Sequence, residues 1–159
     1  AEHLLGDENG GFALIMANFA WERLLMAIGA VGAMDRLIDL SIAYSQERQA
    51  FGRSISGFQA IRHKIAEMAT KTAASRTLTY DTLRRFEEGE DVVREVSMAK
   101  LFTQRTLVEI ADEAVQIHGG YGYMKEYEVE RALRDARLGP IGGGTDEIMK
   151  EIIGKTFSL

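Results

Sequence analysis

Residues 92–118 read VVREVSMAKLFTQRTLVEIADEAVQIH, and their spacing decides the fold. Val96, Ala99, Thr103, Leu107, Ile110, Ala114 and Ile117 recur at intervals of three and four, which lines them along one side of a helix. The stretch contains neither glycine nor proline. Gly119 stands where a helix C-cap is expected. At the other end, the turn Gly89-Glu90 precedes Asp91, whose side chain can cap the first amides.

Two further long segments flank this one. The first runs from about Gly11 to Arg48, with Leu24, Ile28, Val31, Ile38 and Ile42 marking one face and Asp35 interrupting it. Gly29 and Gly32 cost helix stability at mid-helix and are read as points of close helix–helix approach. The turn Gly52-Arg53-Ser54 leads into a helix of roughly 57–88, where Phe58, Ile61, Ile65, Met68, Thr72 and Ser75 form the stripe. Ser56-Gly57-Phe58-Gln59 has the spacing of a capping box. Shorter helices are expected near 128–137 and 145–156. Strand-like alternation is almost absent, and the single proline is Pro140. The pattern predicts an all-α fold, an up-and-down four-helix bundle with short additional C-terminal helices. Residues 1–10 read as a polar connector from a missing upstream domain, and 11–159 as one domain. At 1.5 Å per residue the long helices reach about 40–55 Å, more lateral surface than one bundle core requires. Their outer faces are therefore expected to meet other subunits.

Composition narrows the function. The 159 residues are 46% apolar and 27% charged, ordinary for a globular domain. Nineteen basic and 24 acidic side chains leave a net charge of −5, which gives no reason to propose nucleic acid or an anionic membrane as partner. Cysteine is absent, which excludes disulfides and thiolate metal sites and fits a reducing compartment. No apolar stretch reads as long enough to cross a bilayer, and Ala1-Glu2-His3 does not read as a signal peptide. His3, His63 and His118 are isolated and no Glu-x-x-His occurs, so no metal site is expected.

Several groups can carry chemistry, each with a plainer reading beside it. Gly52, Gly119-Gly120-Tyr121-Gly122 and Gly142-Gly143-Gly144-Thr145 can turn backbone amides toward anionic oxygens, or serve only as tight turns and C-caps. Thr145 is placed to N-cap the last helix, with Asp146 and Glu147 favourable in its first turn. Arg48 suits either a diphosphate or a helix C-terminus. Glu22 and Arg23, taken alone, read as an ordinary solvated helix pair. Glu130, Arg131, Arg134, Asp135 and Arg137 read as a surface or intersubunit salt network.

Order and spacing join these pieces. Arg48-Gln49-Ala50-Phe51-Gly52, Phe58-Gln59, Gln116-Ile117-His118-Gly119-Gly120-Tyr121-Gly122-Tyr123, Arg134-Asp135-Ala136-Arg137 and Gly142-Gly143-Gly144-Thr145 together resemble the C-terminal helical domain of the acyl-CoA dehydrogenases. The resemblance covers essentially all 159 residues. It implies FAD as cofactor, with Arg48 reaching the pyrophosphate of a neighbouring subunit's FAD and Phe51 packing on it. Gln59 belongs to the same signature. The resemblance puts Gln116 and Gly120 against the adenine side of that FAD, Thr145 against the flavin, and Glu147 where many relatives carry Gln.

The departure from the family pattern is local. Most of the family has Tyr-Glu-Gly-Thr where this chain has Gly142-Gly143-Gly144-Thr145, and that glutamate is the catalytic base. The long-chain and isovaleryl branches carry the base instead on the first helix of this domain, in a Glu-Arg-Leu motif that matches Glu22-Arg23-Leu24. The resemblance to those branches implies that Glu22 removes the α-proton of an acyl-CoA while flavin takes the β-hydride. Apolar Phe19, Trp21 and Leu25 are expected to desolvate the carboxylate. Arg23 matches the residue that helps position the CoA end. Gly142 replaces a pocket tyrosine beside Gly143, implying a wider slot for longer or bulkier acyl groups. The implied partners are acyl-CoA, an electron-transferring flavoprotein and further copies of the chain as a dimer or tetramer, in a bacterial cytoplasm or mitochondrial matrix. Two alternatives stand beside this: an acyl-CoA oxidase or other CoA-thioester flavoenzyme, and a non-catalytic oligomerisation or binding bundle.

Overall fold

A computed structural model describes residues 3–158; Ala1, Glu2 and Leu159, at the ends of the expected connector and domain, lie outside the described residues. The described residues form five α-helices: α1 (Gly11–Glu47), α2 (Gln59–Glu87), α3 (Val93–His118), α4 (Glu128–Ala136) and α5 (Asp146–Lys155). Between α1 and α2 lies a hairpin of two-residue strands, β1 (Gln49–Ala50) and β2 (Arg53–Ser54), paired antiparallel with Gln49 opposite Ser54. The fold is the expected all-α bundle, with the long helices within a residue or two of their expected ends.

The third helix occupies the centre, and α1, α2, α4 and α5 all pack on it. Its stripe is buried as read from the spacing. Ala99, Ala111 and Ala114 let neighbouring backbones come close, while Ile110 and Ile117 meet Met34, Leu37 and Met68 from α1 and α2. The second helix buries Met68 but then Thr72, Ser75, Thr79 and Thr82. Thr72 and Thr82 satisfy their hydroxyls on carbonyls one turn back, both at 2.8 Å, whereas the buried hydroxyls of Ser75 and Thr79 between them have no hydrogen-bond partner among the described residues.

Four expectations are corrected. The inner face of α1 is not Ile28, Ile38 and Ile42, which are half-buried. It is Leu24, Ala27, Val31, Met34, Leu37, Ser41 and Ser45. Close packing on α3 selects the small residues, and the hydroxyl of Ser41 bonds the Leu37 carbonyl at 2.7 Å. Gly29 and Gly32 make no close approach, since both are exposed with open space where a Cβ would stand. Ser56 does not cap α2, which starts at a Phe58 N-cap without a side-chain bond. The backbone of Ser56 instead donates to Ser54 Oγ in a preceding 3₁₀ turn. Finally, α1 is by length and composition apolar enough to cross a bilayer, contrary to the expectation. A core helix has the same composition, and the inner stripe of α1 is packed against α2 and α3.

Ile110→Ala is expected to cost about 2–5 kcal/mol by opening a cavity at the centre. Gly29→Ala is expected to add about 0.5–1 kcal/mol, because the site is helical and open. Denaturant unfolding of the protein carrying this chain measures both; a stabilising Ile110→Ala or a destabilising Gly29→Ala would contradict this packing.

Candidate functional site

The residues singled out from sequence gather at two ends of α1. Glu22 and Arg48 lie 26 residues apart on one continuous helix and its cap, hence about 40 Å from each other. They do not form one site within the chain.

At the first end, a glycine loop crosses from α4 to α5. Gly143 and Gly144 both have positive φ, 64° and 100°. A Cβ at Gly143 would stand 2.6 Å from Met26 Sδ, and one at Gly144 would stand 2.8 Å from Met149 Cε. Neither position accepts a side chain without strain and displacement of a neighbour. Three cations hold the loop and the start of α5. Arg23, only 9% exposed, donates from Nε to the Gly143 carbonyl at 3.1 Å, with its guanidinium 4.9 Å from the centre of the Phe19 ring. Lys100, the largest wholly buried side chain, donates from Nζ to the Gly144 carbonyl at 2.6 Å. Arg105 donates to Asp146 Oδ2 at 2.6 Å. Burial pushes both the Arg23 guanidinium and the Lys100 ammonium below their ordinary values. The charge of Asp146 opposes that push on Lys100. Thr145 caps α5 as expected, accepting from the Ile148 amide at 3.4 Å. Glu147 lies exposed in the first turn, its carboxyl held below the usual range by its own backbone amide and the Thr145 hydroxyl.

Glu22 sits on the turn of α1 that carries Arg23, and so beside the glycine loop. Its carboxylate is exposed and accepts from Asn18 Nδ2 at 2.8 Å. The expected apolar cover does not form within this chain. Trp21 turns away to stack on Phe86 of α2 at 5.6 Å, Phe19 pairs with Arg23, and Leu25 remains 46% exposed. Successive helical residues point about 100° apart, so sequence neighbours of a carboxylate do not automatically enclose it. Gly142 is half-buried against Leu138, 3.6 Å from where its Cβ would be.

At the second end, Arg48 leaves α1 in an extended conformation and lays its guanidinium 5.6 Å from the centre of the Tyr121 ring. Among the described residues it forms no ion pair. A cavity of about 560 Å³ opens here, its wall including Tyr44, Arg48, Ile117, His118, Gly119 and Gly120. Nothing lies within 4 Å of where a Cβ would stand on Gly119 or Gly120, so the glycine backbone faces open space. Beside the cavity, the hairpin turns on Phe51 and Gly52, both left-handed at φ 54° and 77°. That pair of angles is the type I′ geometry that glycine and asparagine prefer. Phe51 holds it while 95% exposed, its ring edge-on to Phe58 at 6.1 Å. Gln59 and Gln116 are also exposed, with Gln59 Nε2 3.2 Å from His63 Nε2. The structure thus brings Arg48 and Gly120 to one cavity wall, which Phe51 does not line.

Two functional supports escaped the sequence reading. Lys100 was absorbed into the α3 pattern, although a lysine one residue after Ala99 in so apolar a stripe is itself a signal of a buried partner. His118, read as isolated, is buried under the Gly119 turn. It stacks on Tyr44 at 4.2 Å, its Nδ1 lies 2.8 Å from the Ala114 carbonyl, and Tyr44 donates to its carbonyl at 3.2 Å. Burial holds its ring below the ordinary histidine value. Among the described residues no three His, Asp or Glu side chains gather as a metal site. The surface pairs Glu130–Arg134 and Arg131–Asp135 are the exposed i,i+4 contacts the spacing suggested.

Comparison with known proteins places the fold in a family. Residues 9–157 match the family model described as acyl-CoA dehydrogenase, C-terminal domain. An acyl-CoA dehydrogenase of Bacillus subtilis is 43% identical over 153 residues, covering 96% of this chain and 40% of that protein. The mitochondrial long-chain specific acyl-CoA dehydrogenase of Sus scrofa is 40% identical over 155 residues, covering 98% and 36%. The crystal structure of acyl-CoA dehydrogenase from Geobacillus kaustophilus superposes with a TM-score of 0.94 at 42% identity, covering 98% of this chain and 41% of that one. The chain spans about two fifths of the length of these relatives.

An exposed phenylalanine in a left-handed turn serves something other than folding. Phe51→Gly is expected to leave the melting temperature of the protein unchanged or raise it. A loss approaching that of a core truncation, several kcal/mol, would show that the ring supports the fold.

Proposed function

The chain belongs to the acyl-CoA dehydrogenase family, and from that premise we propose that it is the base-bearing part of an FAD-dependent enzyme that desaturates acyl-CoA thioesters between the α and β carbons. The observation that carries this reading is the glycine loop. Gly143 occupies the position that holds the base in most of the family, yet its φ of 64° and the contact with Met26 leave no room for a carboxylate. Glu22 stands on the adjoining turn of α1, joined to the loop through Arg23 and the Gly143 carbonyl.

In this reading Glu22 accepts the proton from the carbon α to the thioester carbonyl. FAD, when bound, supplies the acceptor for the β-hydrogen and its electron pair. Arg23 and the loop at Gly142 and Gly143 form one wall of the acyl slot, and the absence of a tyrosine at Gly142 widens it for longer or bulkier chains. Partly exposed Trp21, Leu25 and Ile148 offer apolar surface that the remaining domains cover, drying the carboxylate and raising its basicity. Thr145 and Glu147 at the start of α5 face the flavin from the same side.

The far end of α1 serves a different copy of the site. The open cavity, its glycine wall and an Arg48 free of ion pairs among the described residues fit a diphosphate, which a guanidinium grips with charge-assisted, two-point bonds. Since Arg48 stands about 40 Å from Glu22, it reaches the FAD of a neighbouring subunit, with Phe51, Gln59, Gln116 and Gly120 around it. The assembly is therefore a dimer or a tetramer, and reducing equivalents leave through an electron-transferring flavoprotein.

In the complete enzyme, Glu22→Gln is expected to keep FAD and lose on the order of 10²–10⁴ in turnover with acyl-CoA; near-normal turnover in stopped-flow flavin bleaching would sink the assignment. Arg48→Ala is expected to weaken FAD retention roughly ten- to hundredfold with little change in helicity. Mixing Arg48→Ala subunits with subunits defective at an FAD contact outside this chain checks the trans role. Flavin content should recover after exchange, and no recovery in confirmed mixed oligomers would contradict it.

A further inference from the structure

We propose that Lys100 is a positioning residue of the active site, holding the Gly142–Thr145 loop in the one backbone conformation that floors the acyl slot opposite Glu22. The inference rests on the desaturase reading but is carried by independent geometry. Lys100 has no exposed surface, and among the described residues it forms no ion pair; its Nζ donates to the backbone carbonyl of Gly144 at 2.6 Å, with the charge of Asp146 acting on it from a greater distance. Burying an ammonium for a single carbonyl is costly unless that carbonyl must be held.

The loop explains the need. Two successive left-handed glycines, at φ 64° and 100°, turn their carbonyls inward, one onto Arg23 Nε and the other onto Lys100 Nζ. Backbone bonds fix the two ends of the loop, Gly142 N–H to the Leu138 carbonyl at 2.8 Å and Asp146 N–H to the Pro140 carbonyl at 3.0 Å, but among the described residues the amides of Gly143, Gly144 and Thr145 between them donate to no backbone acceptor. Glycine gives it many alternatives to this conformation, and the two buried cations select one. Lys100 comes from the middle of α3, the most deeply packed element, whereas Glu22 comes from α1. The cation therefore ties the slot floor to the helix against which α1 is registered. Gln104, one turn on, extends the same tie by donating to the Met26 carbonyl at 2.7 Å; Met26 Sδ in turn abuts Gly143. Arg105 fixes the end of the loop through Asp146.

Lys100→Met keeps the length and removes the ammonium. In the complete enzyme, kcat is expected to fall roughly ten- to hundredfold, the scale of a misplaced reacting geometry, while KM for acyl-CoA stays within about threefold. Hydrogen–deuterium exchange should quicken in residues 141–147 and stay unchanged in residues 96–117. Exchange rising uniformly through α3, or loop exchange and kcat both equal to the parent, overturns the proposal. Should Lys100→Met fail to fold, Lys100→Gln, a neutral donor, takes the same measurements. Failure of both to fold makes the lysine structural and likewise overturns it. The loop measurement does not involve Glu22, so normal turnover in Glu22→Gln would remove the desaturase reading and leave this one separately decided.

Discussion

Thirteen side chains of α3 are buried, spread over most of its circumference, and each neighbouring helix takes its place from the side of α3 it covers. Burial on that scale is favourable only if every inward polar group finds a partner. Apolar and small residues meet α1 and α2. Of the polar members, Ser97, Thr103, Thr106 and His118 meet carbonyls of α3 itself, while Lys100 and Gln104 reach carbonyls of the Gly144 loop and of α1 at Met26. The central helix thus acts twice, as core and as the frame on which both irregular glycine segments are hung. The loop at 142–145 has little regular structure of its own to fix it, and Gly119–Tyr123 form only a short 3₁₀ helix.

Much of this was legible in the sequence because helical spacing is a robust signal where large apolar residues carry it. The stripe on α3 and the helix ends at Gly119 and Thr145 could be read directly. The face of α1 could not, because the close approach to α3 favours Ala27, Ala30, Ser41 and Ser45 over the more conspicuous Ile28, Ile38 and Ile42. Size, not hydrophobicity, decided that orientation. The cap of α2 was misplaced for a related reason: Ser54 and Ser56 bond each other and the Ser45 carbonyl, so their hydroxyls are spent on the hairpin. At the site, residue types and order pointed to Glu22, Arg48 and the glycines. The surroundings of Glu22 and the buried hold of Lys100 on the loop depend on which side chains cross between helices, and spacing along one helix does not report that.

The roughly 40 Å between Glu22 and Arg48 gives the long helices a purpose beyond packing. A shorter α1 would complete the same core around Met34, Met68 and Ile110. Its full length instead presents Glu22 and the Gly142–Thr145 loop at one end and Arg48 beside a glycine-walled cavity at the other. One helix thereby joins two separate surfaces. Stability and function are divided along the helix: the middle is packed, and the ends carry open surface, left-handed backbone and unpaired donors.

The left-handed pair Gly143-Gly144 also sets what redesign of this loop would take. A side chain at position 143 meets both an unfavourable φ of 64° and the sulfur of Met26. Placing a carboxylate there needs two coordinated changes, a new backbone angle at 143 and a smaller residue at 26, and neither alone makes room for it. The loop is thus closed to single substitutions at that position.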